Sequence, residues 1–202
     1  MSRGLRNPFL WAFVVGCAVI TLMRPLLRRI PDPPPVIGQV PEFSLMTASG
    51  ERYGSDELRG HVYVASFAAT PARLQAMSSL ARRYRDEGLD SIRLVSISAD
   101  REDGAAARAR EAAKTHGLDP RRWVLLHGPR EQVRELAEHG FRIEPAAAAA
   151  GRSAGLDAAP GGEIFLVDAA GGLRGGYGAD PLGLDEVFWR SRRVLEESKA
   201  GS

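Results

Sequence analysis

Residues 62–84 read VYVASFAATPARLQAMSSLARRY. Residues 61–68 have the β-branched, aromatic and small side chains of a buried central strand. Pro71 suits the first turn of a helix, and apolar side chains then recur at helical spacing: Leu74, Met77, Ala81 and Tyr84. The stretch therefore predicts a strand, a short turn and an amphipathic helix that ends at Gly88.

Strands and helices alternate on both sides of this unit. Ser49 and Gly50 predict a hairpin between two short strands, and a helical turn follows at 55–58. Further strands are predicted at 91–98, 123–126, 164–167 and 173–177, and helices at 130–140 and 184–199, with an alanine-rich helix ending at 116–117. This order predicts an α/β three-layer sandwich with a mixed central sheet over residues 38–199. Within it, residues 144–162 (EPAAAAAGRSAGLDAAPGG) predict a flexible Ala/Gly-rich loop.

The N-terminal end predicts a membrane anchor. After a short flank of residues 1–8, residues 9–27 are apolar apart from Arg24, and 19 helical residues span roughly 28 Å, about one hydrocarbon core. Residues 28–37 contain the run PDPPP and predict an extended Pro-rich tether. Basic residues flank the anchor equally on both sides, so the charge bias does not fix its orientation. One alternative stays open: residues 14–17, VVGC, resemble a lipoprotein processing box that would place a lipid on Cys17.

Composition disfavours nucleic-acid binding and rules out an intramolecular disulfide. The N-terminal 35 residues hold five arginines against Asp32, so the rest of the chain is slightly acidic although the whole carries +2. No basic stripe with interleaved aromatics is present, which disfavours nucleic-acid binding. Cys17 is the only cysteine, so no intramolecular disulfide can form.

Five motifs occur in a family-specific order: GQVPEFSL at 38–45, LRGHVYV at 58–64, LVSIS at 94–98, WVLLHG at 123–128 and FLVD at 165–168. Together with the anchor and tether, they resemble the Sco/SenC family. These are membrane-anchored, thioredoxin-like proteins that deliver copper or act as thiol reductants during cytochrome c oxidase assembly. The resemblance implies a thioredoxin-like fold, and a soluble domain on the periplasmic side of the inner membrane.

The family's working residues are missing from this chain. The resemblance places its Cys-x-x-x-Cys pair on Ala72 and Ala76 and its histidine near Pro160, while its Asp-Pro-x-x-Asp loop becomes residues 100–103 without the proline. A methyl group offers copper(I) no lone pair, and thiol chemistry needs a thiolate. We therefore expect no family metal site, no cofactor and no enzymatic activity.

Other residues could in principle provide a site. The soft-metal candidates are His61, His116, His127, His139, Met46 and Met77, but no two histidines have a ligand spacing on one helix. Asp100, Glu102 and Asp103 form an acidic cluster that suits either a hard cation or a helix N-terminus. Ser66, Ser78 and Ser79 have no partnered base in the sequence pattern.

Three hypotheses follow, in order of preference. The first is a noncatalytic, membrane-tethered binding or scaffold module whose partner is an oxidase subunit or a metal-competent paralogue. An exposed apolar surface around Ala72, Leu74 and Met77 would suit that partner. The second is a metal carrier that uses a different His/Met/carboxylate set, and the third is a thiol-independent enzyme with a polar pocket.

Overall fold

The structure is a computed structural model. It describes residues 33–67, 71–100, 111, 114–115, 119, 121–143 and 164–201. The predicted anchor at 9–27, the loop at 144–162, Pro160, His116, Glu102 and Asp103 all lie outside these ranges, as does the side chain of Asp100. Among the helices that are described, none combines the length and the apolar character needed to cross a membrane.

The described elements form one mixed sheet with helices on both faces. The strands are β1 (Gly38–Gln39), β2 (Ser44–Thr47), β3 (Arg52–Gly54), β4 (Tyr63–Phe67), β5 (Arg93–Asp100), β6 (Trp123–Pro129), β7 (Ile164–Val167) and β8 (Gly172–Tyr177). The helices are α1 (Ser55–Leu58), α2 (Pro71–Asp86), α3 (Arg130–Glu135) and α4 (Pro181–Ala200), and a π-helical turn at Leu136–Gly140 continues α3. The predicted α/β sandwich with a mixed sheet is confirmed.

Strand order in the sheet is β1-β8-β7-β4-β5-β6-β2-β3. The three central strands β4, β5 and β6 are parallel, and their neighbours run antiparallel. Because β4 and β5 are parallel, Arg93 at the start of β5 is level with Tyr63 at the start of β4. Phe67, at the other end of β4, therefore marks the opposite edge of the sheet, where α2 begins.

Alternation along the strands divides the core into two layers. In β4, Ala65 and Phe67 pack on the layer that also holds residues of α3 and the π-helical turn. Val64 packs on the layer of α2 and α4. The two helices of that second layer contact each other where the Tyr84 hydroxyl lies 2.7 Å from Ser191 Oγ, and the Tyr84 and Phe188 rings stack at 5.5 Å. All of these positions are buried, as their apolar pattern predicts.

Several elements differ from their predicted bounds. Strand β5 begins two residues later than predicted, at Arg93, and β6 ends three residues later, at Pro129. The last helix begins at Pro181, three residues early, because Asp180 caps it by accepting hydrogen bonds from the backbone of Leu182 (2.9 Å) and Gly183 (3.2 Å). A side chain at position 183 would lie 2.2 Å from the Gly178 carbonyl oxygen, so this close approach requires glycine. The helix predicted at 130–140 is α-helical only to Glu135.

Part of the Pro-rich segment docks on the sheet edge. The Ile37 amide donates to the Leu173 carbonyl (2.8 Å), and β1 pairs with β8. Arg174 Nη1 donates to the Pro34 carbonyl (2.8 Å), and Pro34 is buried. Residues 33–37 are thus held along β8 by main-chain and side-chain hydrogen bonds.

Candidate functional site

Ala72 and Ala76, to which sequence analysis assigned the family's cysteines, lie in the first turns of α2. This helix follows β4 across residues 68–70, at the carboxyl edge of the parallel strands. Positions four apart lie on one side of a helix. Ala72 is exposed, whereas Ala76 is only 7% exposed. At this edge, the methyl group of Ala72 therefore faces solvent and that of Ala76 faces the core.

Arg73, between the two alanines, is a residue that sequence analysis missed. Its side chain is buried, with 5% exposure, and Nη1 donates a hydrogen bond to the Phe67 carbonyl at the end of β4. A guanidinium keeps its positive charge at any pH a protein tolerates. A protonated guanidinium has no lone pair, so Arg73 cannot replace a cysteine as a metal ligand.

An exposed apolar surface around Ala72, Leu74 and Met77, which would have suited a protein partner, is not found. Leu74 is 6% exposed and Met77 is completely buried, and both belong to the core between α2, α4 and the sheet. Only Ala72 of the three reaches solvent. The helical periodicity that placed Leu74 and Met77 inward also removes them from the surface.

The soft-metal candidates in the described residues lie in separate elements. His61 is partly buried before β4, His139 is exposed in the π-helical turn, and Met77 is in the core. One pair is brought together: Met46 on β2 and His127 on β6 are direct cross-strand partners. His127 Nε2 also lies 3.1 Å from the Thr47 carbonyl oxygen. Within the described ranges, no group of three or more His, Cys, Asp or Glu side chains could hold a metal ion.

Two of the three serines that sequence analysis considered, Ser66 and Ser79, take part in structural contacts, and the third, Ser78, is buried. Ser66 Oγ lies 3.1 Å from Ser96 Oγ, which also accepts a hydrogen bond from Trp123 Nε1 (3.0 Å), and this network is buried beneath α2. Ser79 Oγ donates to the Gln75 carbonyl one turn earlier (3.1 Å). These contacts contain neither a base nor an orienting carboxylate of the kind that nucleophilic catalysis needs.

A cavity of about 450 Å³ lies at the amino edges of β5 and β6, beside the C-terminal end of α2. Arg122 lines it and forms ion pairs with Asp90 and with Asp119 (Nε to Oδ2, 3.5 Å). Arg82 and Arg85 also line the cavity, which is at the opposite edge of the sheet from Ala72. The cavity therefore does not extend the site at Ala72 and Ala76.

Burial controls the titration of several groups around the sheet. Burial, followed by the positive charge of Arg93, lowers the pKa of His61. Burial also raises the pKa of Tyr53, while Arg93 lowers it and Glu57 raises it. The positive charge of Arg93, which begins β5 at the amino edge of the sheet, therefore acts to lower the pKa of both His61 and Tyr53.

Comparison with solved structures supports the fold. BsSco, a member of the Sco family of cytochrome c oxidase assembly proteins, superposes with a TM-score of 0.66 at 19% identity, covering 85% of this chain and 99% of BsSco. A SCO1/SenC family lipoprotein from Bacillus anthracis gives 0.61 at 20% identity, with 84% and 99% covered. ScoI of Bradyrhizobium japonicum, with copper bound, gives 0.55 at 16% identity, with 78% and 100% covered. Thioredoxin-family proteins also match, such as one from Chlorobium tepidum at 0.54, which makes the fold thioredoxin-like.

Sequence comparison assigns the family. None of the curated proteins matches this chain. The family model described as SCO1/SenC matches residues 35–182, which is most of the chain and contains every described strand. The chain therefore belongs to the SCO1/SenC family.

Proposed function

We propose that this chain is a membrane-tethered, noncatalytic member of its family, which binds a protein partner and does not bind copper at the family's site. The observation that carries the proposal is the content of the first turns of α2. Ala72 and Ala76 offer methyl groups there, and the buried guanidinium of Arg73 lies between them.

Copper(I) selects thiolate, thioether and imidazole ligands. The residues present in these turns do not fit it, because an alanine has no donor atom and a protonated guanidinium has no lone pair. Reduction of a disulfide needs an attacking thiolate, which the same positions lack. Neither copper delivery nor thiol reduction can proceed there by the family chemistry.

The proposed setting is cytochrome c oxidase assembly. BsSco belongs to a family of oxidase assembly proteins, and ScoI has been solved with copper bound. A chain with the same fold but without the ligands suits a scaffold that binds an oxidase subunit or a metal-competent paralogue. No nucleic acid is expected as a partner.

For the membrane, we propose a single anchor at residues 9–27 that leaves the folded domain on the periplasmic side of the inner membrane. The Bacillus anthracis relative is a lipoprotein, so lipidation at Cys17 is the alternative form of attachment. A phosphatase that is active only in the periplasm, fused after Ser202, tests the orientation. If the phosphatase is inactive, and a reporter that works only in the cytoplasm is active when fused at the same position, the domain lies on the cytoplasmic side.

Deletion of the gene tests the assembly role. We expect the amount of assembled oxidase in membranes, measured from its haem absorbance, to fall on deletion and to return with the wild-type chain, which has no cysteine in residues 33–202. Unchanged oxidase in the deletion strain would remove the assembly role. Recovery that occurs only with Ala72→Cys/Ala76→Cys would instead show that the family chemistry is required.

A metal carrier with a new ligand set is the second candidate, and one observation favours it. Met46 and His127 face each other across the β2–β6 ladder, where directly opposed side chains have Cβ atoms about 5 Å apart. Copper(I) titration of the wild-type chain and of Met46→Leu/His127→Asn separates the two candidates. A wild-type copper signal that the double substitution abolishes would favour the carrier.

A further inference from the structure

Arg93 differs from the other partly buried arginines in the described part of the chain. Each of the others has a carboxylate oxygen within 4.0 Å: Arg83, Arg122, Arg174, Arg190, Arg192 and Arg193. No described carboxylate lies that close to Arg93, although its side chain is partly removed from water. A partly desolvated cation without a counter-ion is costly, and proteins usually pair it.

The hydrogen bonds of Arg93 are incomplete as well. Its Nε is buried without an acceptor, and it is the one such side-chain atom identified among the described residues. Among the described residues, the two Nη atoms have no hydrogen-bond partner and are not buried, so they remain open to solvent. A guanidinium presents such paired donors in the planar fork that matches a carboxylate or a phosphate.

Neighbouring groups add further donors at the same place. The Arg93 amide donates to the carbonyl of Val62 (3.0 Å), the residue that follows His61. Arg93 begins β5 on the same sheet face as Val95 and Ile97, and Tyr53 packs against that core layer. The charge of Arg93 acts to lower the pKa of both Tyr53 and His61. A tyrosine hydroxyl and an imidazole N–H can each donate to an anion.

Two acidic groups are nearby, and both have partners of their own. Glu57 Oε2 accepts from the Gly54 amide at 2.7 Å in a capping box. Asp168, whose charge acts on Tyr63 beside Arg93, is paired with Arg174.

We propose that Arg93, with Tyr53 and His61 beside it, forms a binding site for an oxyanion, either a carboxylate or a phosphate, at the amino edge of the sheet. The site is at the opposite edge from Ala72 and Ala76. It does not depend on the proposed function, because it holds whether or not the chain binds copper. An anion at the open Nη atoms supplies the missing counter-charge.

The test is an NMR titration of the isotope-labelled full chain in a zwitterionic detergent. Inorganic phosphate and acetate are added separately, against chloride at constant ionic strength. We expect saturable shifts of the Arg93 Nε–H and His61 imidazole resonances, with dissociation constants in the millimolar range. Bound anion should raise the pKa of His61, because it neutralises the charge that helps to hold this pKa down.

Matched variants separate a site from general charge attraction. Arg93→Met should weaken binding at least about tenfold, the usual effect of losing a charge-assisted hydrogen bond. Arg52→Met removes an equal charge from an exposed position on β3 and should change binding less than about twofold. Glu57→Gln should strengthen binding, because it removes a neighbouring negative charge.

The separate titrations with phosphate and with acetate also identify the chemical class of the anion. Tighter binding of phosphate points to phosphate groups as the natural ligand, and tighter binding of acetate points to carboxylate side chains. The proposal is overturned if neither anion shifts Arg93 or His61. It is equally overturned if Arg52→Met weakens binding as much as Arg93→Met.

Discussion

Replacing Arg174 with methionine should release residues 33–37 from the domain and destabilise the fold. Arg174 Nε donates to Asp168 Oδ2 at 2.7 Å, and Nη1 reaches Glu197 Oε2 at 3.0 Å and the Pro34 carbonyl at 2.8 Å. The side chains of Arg174 and Asp168 are only 12% and 7% exposed. The substitution therefore leaves a buried carboxylate without its cation.

Removing one member of a buried ion pair costs about 3–5 kcal/mol. Here Asp168 Oδ1 keeps hydrogen bonds from the amides of Ala170 (2.9 Å) and Gly172 (2.8 Å), and Glu197 is 46% exposed and returns to water. These remaining contacts favour the lower end of the range. We expect a loss of about 3 kcal/mol, or roughly 6–12 °C in Tm for a domain of this size.

Urea unfolding of residues 33–202, monitored by tryptophan fluorescence, measures this loss of stability. Arg190→Met is the matched control, because its pair with Glu186 is exposed and one helical turn apart, and it should cost less than about 0.5 kcal/mol. Limited proteolysis should then cut near Pro34 faster in Arg174→Met. A loss below about 1 kcal/mol, or equal losses in both variants, would refute the reasoning.

Three further predictions concern the core and the first turns of α2. Burial raises the pKa of Tyr177 to about 12 in the folded protein, whereas a tyrosine in the unfolded chain has a pKa near 10. Because the unfolded state loses this proton first, the free energy of unfolding should fall as the pH rises from about 10 to about 12. Urea unfolding at several pH values should show a smaller fall in Tyr177→Phe than in the wild type. An equal fall in both proteins would contradict the raised pKa of Tyr177. In a Cys17→Ser background, a thiol reagent should modify Ala72→Cys much faster than Ala76→Cys, since the second position is 7% exposed; equal rates would show that α2 begins differently. Met77→Ala should cost about 2–5 kcal/mol and Met77→Leu under about 1.5 kcal/mol, and a neutral alanine variant would contradict its place in the core.

The sequence predicted the central elements well because their signals are local. Residues 62–84 combine a β-branched run, a proline and a 3.6-residue period, and the structure has β4 and α2 there. In contrast, β1 has only two residues, Gly38 and Gln39, and exists because β8 offers a free edge. Local patterns cannot report a pairing that depends on a partner far along the chain.

The side chains around the site were harder to predict for the same reason. An arginine in the first turn of a helix ordinarily faces water, and the burial of Arg73 depends on the Phe67 carbonyl in the preceding strand. The sequence places an acid, Asp90, three residues before Arg93, but the structure pairs Asp90 with Arg122. The missing counter-ion of Arg93 therefore becomes visible only in three dimensions. The identity of Ala72 and Ala76, however, could be read directly from the sequence.

The most direct test of the account is a copper(I) competition titration of the full-length wild-type chain in detergent, against a chromogenic copper(I) chelator. The account predicts that the chain withdraws no copper from the chelator, because neither Ala72 nor Ala76 has a donor atom and the guanidinium of Arg73 has no lone pair. Withdrawal of one copper(I) per chain, at an affinity that competes with the chelator, would contradict it.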